Sequence, residues 1–374
     1  MGVTKTQYGT WIARWTDPYG KQASKTWKTK ADADAYCKRM TSDVARGSYV
    51  DPRLGRITLS GWADEWLAGA RNLSRGGHDT YRRDLDRHIL PVLGKVPVGR
   101  LGAQDIDRYL TDEADKLAPS TVHRHYRTLH RMLEVARKRG LIARNPCEHV
   151  QPPTVPRTKG VALTVDQVDD LADAMTRPEK WDRRAPVESR WRAWVFVVVY
   201  GELRWSESVG LRRRHVDGPR LHIVEQLIHR GKGDWDRPEP KASSARTVTL
   251  PPFVVDELAT HLEQFSLPGP DGLVFPTRRG TPPQAPSFTG NTFKRALQRA
   301  GLPPMKIHDL RRTGISLAIA SGADVKQSQA RAGHASSRIH LDTYARAFPA
   351  GDEAIAAGLE NLRAESRRRR LRAV

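Results

Sequence analysis

The first fifty residues alternate apolar and polar side chains before they change to a helical spacing. Residues 8–15 alternate as a strand does, residues 17–20 are typical of a turn, and residues 21–28 predict a returning strand. Thr29 can cap a helix that continues to about residue 46. Residues 1–50 are therefore predicted to form a small sheet-plus-helix module. Its three tryptophans belong either to its core or to a basic DNA-binding surface.

Apolar residues recur every three or four positions from residue 57 to about residue 150, which predicts a helical domain. The longest predicted helix starts at Pro119 and ends at Gly140, and it is strongly basic. Such charge is common on a solvated helix face and also suits a helix laid against phosphates. Three prolines within residues 151–160 indicate a linker.

The next part of the chain is predicted to be mainly helical with one small antiparallel sheet. Thr164 can cap its first helix, and the strongly apolar residues 191–200 predict a buried central helix. Strand patterns follow at about residues 220–226 and 245–250, and helical patterns then continue to about residue 347.

The last residues, 351–374, are predicted to form a short helix and a basic tail that contains four consecutive arginines. The chain exceeds what one hydrophobic core usually organises, so several domains are expected. The pattern as a whole predicts a multidomain fold, mainly α with small antiparallel β-sheets.

The amino-acid composition indicates which class of molecule the protein binds. The formal charge is +21 and the isoelectric point is near 10.3, which favours a polyanion such as nucleic acid. Cys37 and Cys147 lie in unrelated contexts, so neither a disulfide framework nor a zinc site is expected. The sequence has no long apolar run and no apolar core near its N-terminus. We therefore expect a cytoplasmic protein with no membrane association.

Six residues could carry chemistry, and each has a plainer explanation when taken alone. An arginine after a buried helix is ordinarily a surface group or the partner of a nearby glutamate, and a hairpin lysine is ordinarily solvated. A histidine at a helix start or break is usually structural, and a tyrosine on an amphipathic helix usually belongs to the core. The six candidates are Arg204, Lys241, His308, Arg311, His334 and Tyr344.

In this order, the six residues resemble the catalytic pattern of the tyrosine recombinase, or phage integrase, family. The matching segments are the arginine box 203–207, the hairpin lysine with Ser244 and Arg246 behind it, the His-x-x-Arg box 308–311, Gly333-His334 and the nucleophile box 341–344. Upstream, residues 88–94 and Asn145-Pro146 are similar to the family's core-binding domain.

The resemblance covers nearly the whole chain and implies a division into domains. Residues 1–50 would be an arm-type DNA-binding module and residues 57–150 a helical, SAM-like core-binding domain. Residues 151–160 would be the linker, and residues 161–350 a mixed, mainly helical catalytic domain. Residues 351–374 would follow as the C-terminal helix and tail.

The resemblance implies a reaction in which Tyr344 attacks a DNA phosphodiester and becomes linked to the 3′-phosphate. Attack develops negative charge on the non-bridging oxygens, which Arg204 and Arg311 are suited to hold. A phenol with an ordinary pKa of about 10 also needs a base or nearby positive charge. His308 would supply the base.

Lys241 would protonate the leaving 5′-oxygen, and His334 would donate a hydrogen bond to the phosphate. The phosphotyrosine keeps the energy of the broken bond, so rejoining needs no ATP. No cofactor and no metal are expected.

Two residues depart from the family pattern. Glu202 stands where a glycine is usual, and Ala332 stands where a leucine usually precedes Gly333. Neither position supplies catalytic atoms. We expect Glu202 to put a carboxylate near Arg204 and so to affect the local backbone.

The expected function is a site-specific recombinase that integrates, and also excises, a phage or other mobile element through a Holliday junction. The implied partners are double-stranded attachment sites and three further copies of the chain, with a host DNA-bending factor and an excision factor as candidates. Two alternatives stay open: a type IB-like topoisomerase, and a non-catalytic DNA-binding protein that retains the fold.

Overall fold

The computed structural model describes residues 2–46, 49–51, 53–156, 160–176, 190–231, 233–238 and 245–333. The chain divides into two compact units, with the boundary between Thr158 and Lys159. Within the described ranges, no helix is both long enough and apolar enough to span a membrane. The part of the predicted helical pattern from residue 334 to about residue 347, and the predicted C-terminal helix and tail, lie outside the described residues.

The N-terminal unit begins with three antiparallel strands in the order β1 (Gly2–Lys5), β2 (Trp11–Thr16) and β3 (Gln22–Trp27). Helix α1 (Lys30–Ala45) follows, and the Thr29 side chain caps it as predicted. The sequence-based prediction missed β1 and began the next strand too early, because residues 6–10 form a tight turn closed by a hydrogen bond from Thr6 N to Thr10 O.

The tryptophans of this module contribute to its core. Trp15 is buried beside Tyr36, and Trp11 and Trp27 pack at the edge of the same cluster. The ammonium group of Lys25 lies 4.5 Å from the centre of the Trp27 ring, so basic residues also contact this aromatic cluster.

The rest of the first unit is helical, as its apolar spacing predicts. Its helices are α2 (Leu59–Ala68), α3 (Arg75–Asp84), α4 (Leu90–Leu93), α5 (Ala103–Ala114) and α6 (Pro119–Lys138). A π-helical segment, Leu85–Ile89, joins α3 to α4. The apolar faces of these helices form one core around Trp62, whose indole N–H donates to Met132 O at 3.1 Å.

The second unit is mainly helical with two small antiparallel sheets. Its helices are α7 (Val165–Ala174), α8 (Arg192–Tyr200), α9 (Trp205–Gly210), α10 (Pro252–Gln264), α11 (Ala285–Ser287), α12 (Lys294–Arg299), α13 (Ile307–Ala320) and α14 (Val325–Ala332). A π-helical segment, Phe288–Phe293, lies between α11 and α12. The predicted fold class, mainly α with small antiparallel sheets, is confirmed.

One sheet has the order β4 (Val216–Asp217), β5 (Arg220–Ile223), β8 (Arg246–Thr249), and the other is the hairpin of β6 (Ile228–Gly231) and β7 (Asp234–Asp236). The sequence predicts strands β5 and β8 of the first sheet but not β4, and it does not predict the second sheet. The hairpin is too short for its alternation to be visible in the sequence.

Short 3₁₀ turns occur at Leu54–Arg56, Val98–Arg100, Pro146–His149 and Arg213–His215. The central helix of the second unit is α8, which is buried along almost its whole length as predicted. Helix α13 packs closely on it at Gly314, where an added Cβ would overlap Val199 O. This close packing brings the start of α13 to the end of α8, where the predicted arginines lie.

Candidate active site

Arg204 precedes the first turn of α9, just beyond the buried helix α8. Its backbone N–H donates to Glu207 Oε2 at 2.8 Å, and its Nη1 donates to Glu207 Oε1 at 2.6 Å. Its Nη2 donates to Gly333 O at 3.0 Å. The guanidinium group of Arg204 is therefore held from two sides: Nη1 by the Glu207 carboxylate of α9, and Nη2 by the main chain at the C-terminal end of α14.

Arg311 lies on α13 and is 1 % exposed. Its Nη1 donates to Glu202 O at 2.5 Å and lies 3.7 Å from Glu207 Oε2, and its Nη2 donates to Ala332 O. Burial and the nearby charge of Arg204 lower the pKa of Arg311 to about 9. Arg311 therefore stays charged at neutral pH.

Glu207 joins the two predicted arginines to a third, Arg246 at the start of β8. Arg246 Nη2 lies 3.0 Å from Glu207 Oε2, and both side chains are 6 % exposed. Burial by itself would raise the pKa of Glu207, but the hydrogen bonds and charges of Arg246 and Arg204 outweigh it and lower the pKa to about 2. Glu207 is thus a permanent countercharge that holds three arginines in one cluster.

From the sequence, Glu207 is only a default partner of Arg204, and Arg246 is only a residue behind the predicted lysine. The three-residue spacing of Arg204 and Glu207 on one helix was the signal for their pairing. The sequence does not show that the Glu207 carboxylate also pairs with Arg246 and lies near Arg311, because those contacts depend on how α9, β8 and α13 pack.

His308 lies three residues before Arg311, and so on the same side of α13. Burial lowers the pKa of His308, and the charges of Arg311 and Arg312 lower it further, with a smaller effect from Arg204. The histidine is therefore neutral at neutral pH and could accept a proton.

Glu202 does not pair with Arg204 as expected. Its carboxylate instead lies 3.2 Å from Arg331 Nε of α14, while its main-chain oxygen accepts from Arg311. The left-handed backbone at Glu202, with φ of 53°, directs its side chain away from Arg204.

The structure thus brings Arg204, His308 and Arg311 together. The other three candidates, Lys241, His334 and Tyr344, lie outside the described residues. Gly333 directly precedes His334, and the described residues resume at Ala245, four positions after Lys241. Over the described part of the chain, no group of histidine, cysteine or acidic side chains could hold a metal ion.

Two segments of the chain match models of known protein families. Residues 162–350 match the model described as "Phage integrase family", and residues 59–152 match the "Phage integrase central domain". The chain belongs to the phage integrase family. As a member, this recombinase is an enzyme that transfers DNA strands at specific sites.

Relatives and solved structures agree with that membership. The integrase of Mycobacterium phage L5 is 27 % identical over 354 residues, which cover 91 % of each chain. The Tn1549 transposon integrase, solved with a circular intermediate DNA, has a TM-score of 0.68 at 19 % identity and covers 82 % of this chain and 99 % of its own. A lambda integrase tetramer bound to a Holliday junction has a TM-score of 0.58 at 17 % identity and covers 94 % and 96 %.

Proposed function

We propose that this recombinase integrates and excises a phage or other mobile element, and that Tyr344 cuts each strand by forming a 3′-phosphotyrosyl bond. The observation that carries the proposal is the convergence of Arg204 and Arg311 on Glu207, with His308 beside them, inside the family-matching region. The remaining candidates, Lys241, His334 and Tyr344, are assigned by their positions in the family motifs.

Arg311 has a donor suited to the phosphate. Its Nε is buried and has no acceptor within the described ranges, although its two Nη atoms are both bonded. An unpaired buried N–H is costly, and a phosphate oxygen would satisfy it. Glu207 and the carbonyls of α14 would hold the guanidinium group still while the charge on the phosphate grows.

The Tyr344 oxygen bonds to phosphorus as the bond from phosphorus to the 5′-oxygen breaks, and His308 takes the phenol proton. Lys241 gives a proton to the departing 5′-oxygen. His334 donates to a non-bridging oxygen, and rejoining reverses these transfers with a 5′-hydroxyl from another strand.

A plasmid assay tests the recombinase against the two alternative functions. DNA that flanks this gene in its source supplies candidate attachment sites, and two copies are placed on one supercoiled plasmid. We expect deletion or inversion between the sites. A topoisomerase would only relax the plasmid, and a non-catalytic protein would leave it unchanged; either result would overturn the proposal.

We also propose that residues 1–50 bind accessory DNA sites and residues 57 onward bind the crossover site. The strand register places Thr4, Ile12 and Thr26 side by side on one face of the sheet, with Arg14 and Ser24 next to them. In the helical part, Arg124, Arg127 and Arg131 line an open groove of about 630 Å³ beside α3 and α6. The arginines of this groove fit the phosphates of a duplex by charge, and Arg14 adds one positive charge to the sheet face.

Deleting residues 1–50 is therefore expected to abolish integration between full attachment sites and to leave cleavage of a short crossover site near the wild-type rate. The truncated protein keeps the core around Trp62, so circular dichroism should show that it folds. If the folded truncation no longer binds the crossover site, the proposed division of labour is wrong.

Four protomers are proposed to assemble on two synapsed sites, because exchange needs four cuts and each chain offers one Tyr344. The tetrameric form of the similar lambda integrase supports this number. A host DNA-bending factor and an excision factor remain candidate partners. The proposed place of action is the cytoplasm, where bacterial DNA lies.

A further inference from the structure

Glu202 is a buried carboxylate that the proposed chemistry does not use. It follows α8 and is 1 % exposed. Its backbone is left-handed, a conformation that residues other than glycine rarely adopt. A Cβ on Gly314 would lie 3.1 Å from its Cγ, so α13 closes over the side chain. A charge is seldom kept in such a place unless a partner requires it.

Its partner is Arg331 of α14. Arg331 Nε lies 3.2 Å from Glu202 Oε1, but the N–H is not aimed at it, and neither carboxylate oxygen accepts a well-formed hydrogen bond from any described residue. Arg331 also donates to Tyr200 O at 2.5 Å and to Thr249 O at 3.1 Å. Arg331 thus joins α14 to the ends of α8 and β8, and Glu202 supplies its countercharge.

Among the described residues, the apolar cluster that includes α14 is small, with Ala332 packed against Ile315 and Ile319, so polar contacts contribute much of what holds the helix. Its last carbonyl groups accept from the arginine cluster. These bonds run from Arg246 to Arg331 O, from Arg311 to Ala332 O and from Arg204 to Gly333 O. Any loosening of α14 therefore removes acceptors from the two arginines proposed to hold the phosphate.

We propose that Glu202 is a positioning residue for strand cleavage, which through Arg331 fixes the end of α14 and thereby the orientation of Arg204 and Arg311. The proposal rests on the recombinase function above. Its consequence is that cleavage needs Glu202 in its ionised form.

The charge on Glu202 changes close to neutral pH. Burial raises its pKa to about 7, although Arg331 from α14, Arg311 from α13 and Arg246 from β8 all lower it. Below pH 7 the carboxyl is protonated and Arg331 loses its countercharge, while Glu207, with a pKa of about 2, stays ionised. Cleavage should therefore slow as the pH falls through about 7. If net charge alone mattered, the opposite would occur, because protonation adds positive charge beside the phosphate.

The test is the single-turnover cleavage rate on a nicked crossover site with saturating protein, measured on both sides of neutral pH. Above pH 7, Glu202→Gln should cleave up to about 100-fold more slowly than the wild-type protein, which is the size of effect expected when catalytic groups are slightly misplaced. Its rate should no longer change near pH 7, and the remaining change should lie below pH 6.5, where His308 titrates. Glu202→Gly, which fits the left-handed backbone, should behave in the same way and excludes misfolding as the cause.

Glu225→Gln is the control, because Glu225 pairs with a different arginine of the same unit, Arg212, at 3.0 Å. It should keep the wild-type pH profile. The double variant Glu202→Gln/Arg331→Gln should be no slower than the slower single variant, since both remove the same contact.

Hydrogen exchange gives a readout that does not depend on cleavage. After correction for intrinsic rates, α14 amides of the wild-type protein should exchange faster at pH 6 than at pH 8, and those of Glu202→Gln should not differ. If the wild-type protein does not cleave at all, the proposed function is wrong, but hydrogen exchange of α14 still tests the role of Glu202. An unchanged pH profile in both Glu202 variants, or a loss of DNA binding instead of rate, would overturn the positioning role.

Discussion

Tyr344→Phe is expected to bind a crossover site as the wild-type protein does and to form no covalent adduct with it. The change removes one oxygen, which is the atom proposed to attack phosphorus, and leaves the arginine cluster of Arg204, Arg311 and Glu207 untouched. The measurement uses a nicked substrate from which the short fragment with the new 5′-hydroxyl diffuses away after cutting, so that the protein stays covalently attached to the DNA and the adduct survives denaturant.

Tyr200→Phe is the matched control. Tyr200 is the other tyrosine of the second unit, and its ring packs on Phe196 and Phe253. Removing its hydroxyl leaves the carbonyl that Arg331 uses, so adduct formation should persist. A denaturant-resistant adduct on the Tyr344→Phe protein would show that another side chain is the nucleophile.

The elements that dominate the fold could be predicted because their signals are local. The Thr29 and Thr164 caps, the apolar residues 191–200 and the basic helix α6 all lie where periodicity and capping indicate. Strand β1 and the β6–β7 hairpin were missed, because a strand of three or four residues gives too few alternations to recognise.

The candidate site was also predictable only in part. Residue type and order were enough to select Arg204, His308 and Arg311, because the family motif carries them. No local pattern indicates that Arg246 shares the carboxylate of Glu207, or that Glu202 pairs with Arg331 instead of Arg204. These contacts join residues that are 39 or more positions apart in the chain, as Arg246 and Glu207 are, and only the packing of the helices brings them together.

Lys241→Ala is expected to slow cleavage by roughly 10²–10⁴-fold, the range typical of a positioned proton transfer, and to leave DNA binding nearly unchanged. The lysine is proposed to neutralise the 5′-oxygen as its bond to phosphorus breaks. Lys294→Ala is the control, since Lys294 is an exposed lysine of α12 outside every segment that matches the family's catalytic motifs. Its cleavage rate should equal that of the wild-type protein.

A sulfur substitution separates the proposed acid from the phosphate-binding arginines. When sulfur replaces the scissile 5′-bridging oxygen, the leaving group is a thiolate, which departs readily without a proton. This substrate should restore rapid cleavage to Lys241→Ala. It should not rescue Arg204→Ala or Arg311→Ala, because those proteins lack donors to the non-bridging oxygens, whose charge still develops. If sulfur fails to rescue the lysine variant, or rescues all three variants alike, Lys241 is not the acid, and His308 or His334 must supply the proton.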